Sequence, residues 1–302
     1  MALADTRRVV LLGKTGSGKS SLANTLFGES HVFQVNHSAN SGTKLCLSET
    51  KTINGRRLQL IDTPGFFDTD PKSSELSPEL LKCITECAPG PHAFLLVLTV
   101  EKYTELEKAV VALMLRYFSI DVLKYTTVVF TRGDDLRGMK ILEWVGQNEG
   151  LRNLVQRCGG RCHVIDNKYW NNSQDPYRNN QYQIEELLET IDQTVTDNRG
   201  GHYTNELLER VNAKIQEQVA LIGKSSQNVS SLEIVKRAKE IVLRELEGVG
   251  LVIGRLLGTF IGGIRVESIR VGGGVLKGVL RGLAGLADAP AVLTMAPAVL
   301  TM

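Results

Sequence analysis

Residues 13–20 read Gly-Lys-Thr-Gly-Ser-Gly-Lys-Ser, and this stretch decides the fold. Before it, Arg8-Val9-Val10-Leu11-Leu12 is a short apolar run suited to a buried strand. After it, Ser21-Leu22-Ala23-Asn24-Thr25-Leu26-Phe27 suits a helix. Strand, glycine loop and helix in this order are the context that a phosphate-binding loop requires. Gly13, Lys14, Thr15, Gly16, Ser17 and Gly18 would curl backbone N–H groups around a β-phosphate. Lys19 would reach the β- and γ-phosphate oxygens, Ser20 would place its hydroxyl on Mg²⁺, and Ser21 would open the helix whose N-terminus adds partial positive charge.

Outward from the loop, apolar runs alternate with helical patterns to about residue 197. Lys44 to Ile53 reads as a strand, Asn54-Gly55 as a two-residue hairpin turn, and Arg57 to Asp62 as the antiparallel partner. Ala93 to Val100 (AFLLVLTV) is near-continuously apolar, as a strand covered on both faces requires. Thr104 can cap a helix with Leu106, Ala109, Val110, Leu113, Met114 and Tyr117 at one-face spacing. Thr126 to Phe130 is another buried strand. Helical stretches are expected around 140–158, a short strand near Cys162–Ile165, and a helix from about Gln183 to Val195. This alternation predicts an α/β layered domain over residues 1–199 with a mainly parallel sheet.

Two segments follow. Over 200–247 the pattern predicts an amphipathic extension. Tyr203, Leu207, Leu208, Val211, Ile215, Val219 and Ile222 share one face, and a second helix follows a Ser-rich break at 225–231. These helices fold back on the domain or pair with another chain. In the tail, 248–302, Gly250, Gly254, Gly258 and Gly262 recur every fourth residue, a device of close-packed membrane helices. Arg255, Arg265, Arg270, Lys277 and Arg281 interrupt its apolar runs before any reaches a spanning length. An interfacial membrane contact and a glycine-rich tail without one are both open readings. The last fourteen residues are Ala-Pro-Ala-Val-Leu-Thr-Met written twice, with no functional account.

The chain has 302 residues, 42% hydrophobic and 23% charged, as in a soluble globular protein. A net charge of +2 points away from nucleic acid as a partner. Five cysteines, an odd number, with no leader-like stretch before the first strand, predict reduced thiols in the cytoplasm. Cys158-x3-Cys162-His163 lacks the second pair that a zinc site needs.

A phosphate loop alone could serve ATP or GTP. Asp62-Thr63-Pro64-Gly65 follows a strand, where the aspartate can reach Mg²⁺ through water and Gly65 can turn its N–H to the γ-phosphate. Thr43, between the first helix and second strand, can add its hydroxyl to Mg²⁺ when that phosphate orders the loop. After the strand ending at Phe130 comes Thr131-Arg132-Gly133-Asp134-Asp135-Leu136. A carboxylate there accepts both the ring N–H and the exocyclic amine of guanine, whereas adenine offers it an acceptor. Asp135 is preferred over Asp134 because Leu136 follows, as in Ras-type GTPases. Arg132 and Gly133 stand where asparagine and lysine are usual. Asn167 can add a base contact. His92 is read as a structural histidine, with an approach to the Gly65 region as the alternative.

The combination of GKTGSGKS, SGTKLC around Thr43, DTPGFFDT, CAPGPHAFLLV, Tyr103-Thr104 and FTRGDDL resembles the GIMAP family, the GTPases of immunity-associated proteins, over residues 7–200. PGPHAFLLV is the most specific part. The resemblance implies a P-loop GTPase domain of three layers with a mostly parallel six-stranded sheet. It also implies GTP or GDP with Mg²⁺, a helical extension, nucleotide-dependent pairing with a second copy or related GTPase and, in some members, a membrane-associating C-terminus on the cytosolic face of an intracellular membrane. Phe66 and Phe67 follow Gly65 where Ras-type hydrolysis uses a glutamine, so slow hydrolysis is expected. Lys102, where many members carry arginine, is the candidate to stabilise transition-state charge in trans, against a plain surface lysine. A GTP-loaded switch or scaffold is therefore expected, and a turnover GTPase or NTPase is the alternative. A nucleotide kinase would need a lid and an arginine-rich acceptor site, and neither is visible.

Overall fold

Six apolar strand segments form one sheet in the computed structural model, which describes residues 6–33, 46–63, 78–225 and 229–248. They are β1 (Arg7–Leu12), β2 (Leu47–Ile53), β3 (Arg56–Asp62), β4 (Ala93–Thr99), β5 (Thr126–Thr131) and β6 (Cys162–Val164). The order across the sheet is β2-β3-β1-β4-β5-β6. Only β2 runs antiparallel, paired with β3 through the Asn54-Gly55 turn. Asn54 (φ 48°) and Gly55 (φ 77°) both take the left-handed conformation that a two-residue hairpin of this hand demands. Every residue of β4 and of β5 is buried, because helices cover both faces.

The helices are α1 (Lys19–Phe27), α2 (Pro78–Cys87), α3 (Glu105–Phe118), α4 (Ile141–Gly146), α5 (Glu149–Arg157), α6 (Asn180–Asp197), α7 (Glu206–Ser225) and α8 (Ser231–Gly248). Leu22, Ala23 and Leu26 of α1 pack with Leu187, Leu188 and Ile191 of α6 on one sheet face. On the other face α2 and α3 share a cluster with residues of α7 and α8. The extension thus folds back, with α7 and α8 both against α2. Lys239 of α8 donates to the Glu86 carbonyl at 2.9 Å and its ammonium lies 3.2 Å from that carboxylate. Among the described residues, no helix is long and apolar enough to cross a membrane.

Two expectations need correction. On α3, Val110, Leu113 and Met114 are buried and Tyr117 packs against the core as expected, but Leu106 is 54% exposed and Ala109 is exposed, while Glu107 is buried. An ammonium from the phosphate loop draws Glu107 inward, so the buried stripe carries a charge that a purely apolar pattern omits. Tyr203 lies before α7, not on it, and is buried with its hydroxyl donating to the Phe118 carbonyl. The helical stretches expected at 140–158 are α4 and α5, parted where Asn148 turns out of the helix and caps α5 by accepting from Leu151 N–H at 3.0 Å.

The PGPH segment is a clasp at the end of β4 opposite the phosphate loop. His92 Nδ1 accepts from Arg8 N–H at 2.9 Å, Arg8 Nε donates to the Gly90 carbonyl at 2.7 Å, and Tyr203 N–H donates to the Pro91 carbonyl at 2.8 Å. A Cβ on Gly90 would lie 1.9 Å from the Tyr203 carbonyl oxygen, so only glycine admits this approach. His92 is structural, as read, held at the end of β4 away from the phosphate loop. Thr43, Gly65, Phe66, Phe67, the glycine periodicity and the terminal repeat lie outside the described residues.

Candidate functional site

In a sheet of this order the connections reverse direction about β1: the chain leaves β1 for β2 on one side, and from β3 crosses past β1 to β4 on the other. The crevice at the carboxyl ends of such strands is where open α/β sheets take ligands. The glycine loop fills that position. It ends at Gly18 (φ 87°), and α1 begins at Lys19 with this glycine, which has no side chain to cap the helix, at its N-cap. The N-terminal amides and the helix dipole make an anion site. Lys19 Nζ donates to the carbonyls of Gly13 and Lys14, both at 2.9 Å, which holds the ammonium over the loop. Ser17 is buried, with its hydroxyl oxygen lacking a hydrogen-bond partner and its carbonyl accepting from the Thr131 hydroxyl at 2.8 Å.

Asp62 closes the site from β3. Its Oδ2 accepts from the Ser20 hydroxyl at 2.5 Å, and its Oδ1 is buried without a hydrogen-bond partner. Burial pushes the carboxyl's pKa up, more than Ser20 and the nearby Lys19 ammonium lower it. A hydroxyl and an orphaned, desolvated carboxylate oxygen side by side fit a hard divalent cation or its water shell. Thr63 anchors the start of the following segment by donating to the Leu11 carbonyl at 2.6 Å. Among the described residues, no cluster of three His, Cys, Asp or Glu side chains could hold a metal, so Cys158, Cys162 and His163 form no such site. All five cysteines are free thiols.

The predicted base loop follows β5. Arg132 takes a left-handed turn (φ 61°) and its guanidinium pairs with Glu101. Gly133 is buried beneath Trp170, whose ring carbon Cη2 would lie 2.5 Å from a Cβ there. The indole therefore occupies the space that a longer side chain at 133 would need. Asp134 and Asp135 are exposed in the short 3₁₀ turn Gly133–Leu136, and Leu136 is buried beneath it. Asn167 lies beside the phosphate loop: its Oδ1 accepts from Thr25 at 2.9 Å, and a Cβ on Gly18 would lie 3.4 Å from its Nδ2. Ser21 contributes its carbonyl to the Thr25 hydroxyl at 2.9 Å. Thr15 and Gly16 stand exposed at the loop's crest. The fold thus gathers 13–21, Asp62, 132–135 and Asn167 at one end of the sheet.

Several residues that organise this end carry no signal in the sequence pattern. Asp166 is buried and ties two loops together, accepting from Asp134 N–H at 3.1 Å, Lys168 N–H at 2.9 Å and Tyr169 N–H at 2.7 Å. Asn180 brackets it, donating to the Asp166 carbonyl at 2.6 Å and accepting from the Asp166 N–H at 3.2 Å. Asn24 clips the chain after α1 by exchanging two 2.8 Å bonds with Phe33. Glu107 accepts the Lys14 ammonium at 2.6 Å and the Thr104 N–H at 2.9 Å. Burial raises its pKa, but Lys14 and Thr104 outweigh burial and hold it below the ordinary carboxylate value. The Thr104-x-x-Glu107 capping box is legible in the sequence; its partner lysine, far earlier in the chain, is not.

Residues 7–221 match the AIG1 family. This chain belongs to that family. Among its relatives, immune-associated nucleotide-binding protein 8 of Arabidopsis thaliana is 32% identical over 236 residues, covering 74% of this chain and 65% of the relative. GTPase IMAP family member 8 of Homo sapiens is 31% identical over 198 residues, covering 66% of this chain and 29% of the relative. The chain thus spans less than two thirds of either relative's length. A similar solved structure is Toc33 from Arabidopsis thaliana in complex with Mg²⁺ and GMPPNP, with a TM-score of 0.47, 20% identity, and coverage of 64% of this chain and 85% of that one. The AIG1 match reaches past the sheet domain into α7, so family membership takes in part of the extension.

Proposed function

We propose that this AIG1-family chain binds guanine nucleotide with Mg²⁺ and acts as a GTP-dependent switch or scaffold that pairs with a second copy or a related GTPase. Hydrolysis is a slow reset. One observation supports this reading above others. The glycine-capped start of α1, Lys19 and the Ser20–Asp62 pair with its orphaned oxygen stand at the same sheet end as the carboxylates after β5. Backbone amides would hold the phosphates, Lys19 would neutralise the β and γ oxygens, and Ser20 with Asp62 would hold the cation directly or through water. Bound Mg²⁺ would supply charge neutralisation of the phosphates. Asp135 would accept from both guanine N–H donors, and Asn167 would border the base.

The names of the relatives, a nucleotide-binding protein and a GTPase, agree with this chemistry. No glutamine follows Gly65 in sequence, which favours the switch over a turnover enzyme whose catalysis is its output. Lys102, exposed before α3, would reach a partner's phosphates on pairing. On this reading the chain works in the cytoplasm, on the cytosolic face of an intracellular membrane if the 248–302 tail engages lipid.

Nucleotide competition by calorimetry tests the site. GTP and GDP should displace each other, and ATP should not. Asp135→Asn should lose roughly 1.5–3 kcal/mol of guanine binding, about ten- to hundredfold, and gain preference for xanthine nucleotides. Unchanged guanine preference would move base recognition to Asp134 or elsewhere. No uptake of either guanine nucleotide by the intact protein would end the proposal.

A further inference from the structure

Lys19 holds the carbonyl of Lys14, and the Lys14 ammonium leaves the phosphate loop to meet Glu107 Oε1 at 2.6 Å. The other Glu107 oxygen accepts from the Thr104 N–H at 2.9 Å and from the Thr104 hydroxyl. Lys102 stands exposed two residues before Thr104. Polar contacts therefore link the phosphate lysine to the segment that carries Lys102 through the backbone and side chain of Lys14.

A helix cap alone does not account for Glu107. Glutamine serves a capping box as well as glutamate does, without the cost of burying a charge. Here Glu107 is 4% exposed, and its charge answers an ammonium from another element. We infer that Glu107 is a positioning residue, which fixes the Lys102 segment to the phosphate loop and so sets where this chain presents Lys102 to a partner's nucleotide. A nucleotide that draws Lys19 toward its phosphates would act on a loop already anchored to that segment. This inference rests on the proposed role of Lys102 in trans.

The test measures GTP hydrolysis per molecule across a wide range of protein concentration, with labelled-GDP affinity and melting temperature alongside. It compares the full chain with Lys102→Ala, Glu107→Gln and the double variant. Glu107→Gln keeps the capping acceptor and removes the charge. It should lower the concentration-dependent part of the rate by about tenfold, since small misplacements of a catalytic group cost up to about a hundredfold. GDP affinity should be unchanged, and the double variant should be no slower than Lys102→Ala. If Glu107→Gln retains the concentration-dependent rate, or loses GDP affinity by the same factor, the positioning role is wrong. If Lys102→Ala retains that rate, the role of Lys102 in trans fails first, independently of Glu107. Should Glu107→Gln not fold, Thr104→Ala carries the test, because it removes an exposed hydroxyl of the same clasp. It should lower the concentration-dependent rate at constant GDP affinity, and a wild-type rate would overturn the inference.

Discussion

At the residue scale, the base loop shows how one absent side chain is compensated by a neighbour. Gly133 stands where lysine is usual in Ras-type motifs, and Trp170 fills the space against it, with three ring carbons within 2.9 Å of where a Cβ would sit. Tight packing of this kind resists enlargement. Gly133→Lys should therefore destabilise the protein by about 1–3 kcal/mol, the usual cost of overpacking. In a Trp170→Ala background the same change should cost less, because the clash is gone. Urea unfolding of the four proteins in that cycle measures the coupling; equal costs in both backgrounds would show that the indole is not the obstacle. Arg132 pairs with Glu101 across the mouth of the site, linking the base loop to the residue next to Lys102. The pair is well exposed, so its contribution to stability is small.

At the element scale, α2 has a double role. It begins just beyond the segment that follows Thr63, and its outer face carries the α7–α8 hairpin. Ala238, Val242 and Leu246 of α8 are buried at a helical spacing of four, and Leu208, Val211 and Ile215 of α7 complete the seam. The extension therefore contributes to the core instead of trailing from it. Val242→Ala should cost roughly 2 kcal/mol through lost contacts and a residual cavity. Leu232→Ala, 59% exposed on the same helix, should change stability by less than about 0.5 kcal/mol. Chemical denaturation compares them. Similar small effects would mean that α8 does not dock in solution. The seven buried residues of β4 illustrate the opposite case, since a continuous apolar run alone identifies a central strand.

At the scale of the whole molecule, the two ends of the sheet have different duties. The carboxyl end gathers the phosphate loop and base loop; the other end is a clasp of Arg8, Gly90, Pro91, His92 and Tyr203 that fixes the start of the extension. Desolvation, with the Arg8 guanidinium adding to it, pushes the His92 pKa down to about 3. Burial pushes the His163 pKa down to about 4. Both imidazoles are neutral in the folded chain, whereas in the unfolded chain they titrate near 6.5. Between those limits the unfolded state binds protons that the native state refuses, so stability is complete above about pH 7 and falls as pH drops through 6.5. His92 alone should account for up to about 2 kcal/mol at pH 5. His92→Asn, which keeps an acceptor for Arg8 N–H, should flatten the fall of melting temperature between pH 7 and 5. An unaltered slope would show that His92 is protonated in the fold.

Local chemistry makes much of this protein legible in its sequence. The glycine loop with its flanking strand and helix, the Asn54-Gly55 turn and the Thr104 cap each act within a few residues, where sequence neighbours are also spatial neighbours. Together with the alternation of apolar runs and helical patterns, they determine the chain's α/β class, the parallel core and one end of the candidate site. Tertiary structure decided what depends on partners far apart in sequence. Glu107 is buried because Lys14 reaches it; Gly133 is tolerated because Trp170 covers it; Asp166 matters because three N–H groups from two loops converge on it. Periodicity reports which residues are apolar. It does not report a charge drawn inward by a counter-charge, and that is why Glu107 joins Val110, Leu113 and Met114 in the buried stripe of α3 unannounced by the apolar pattern.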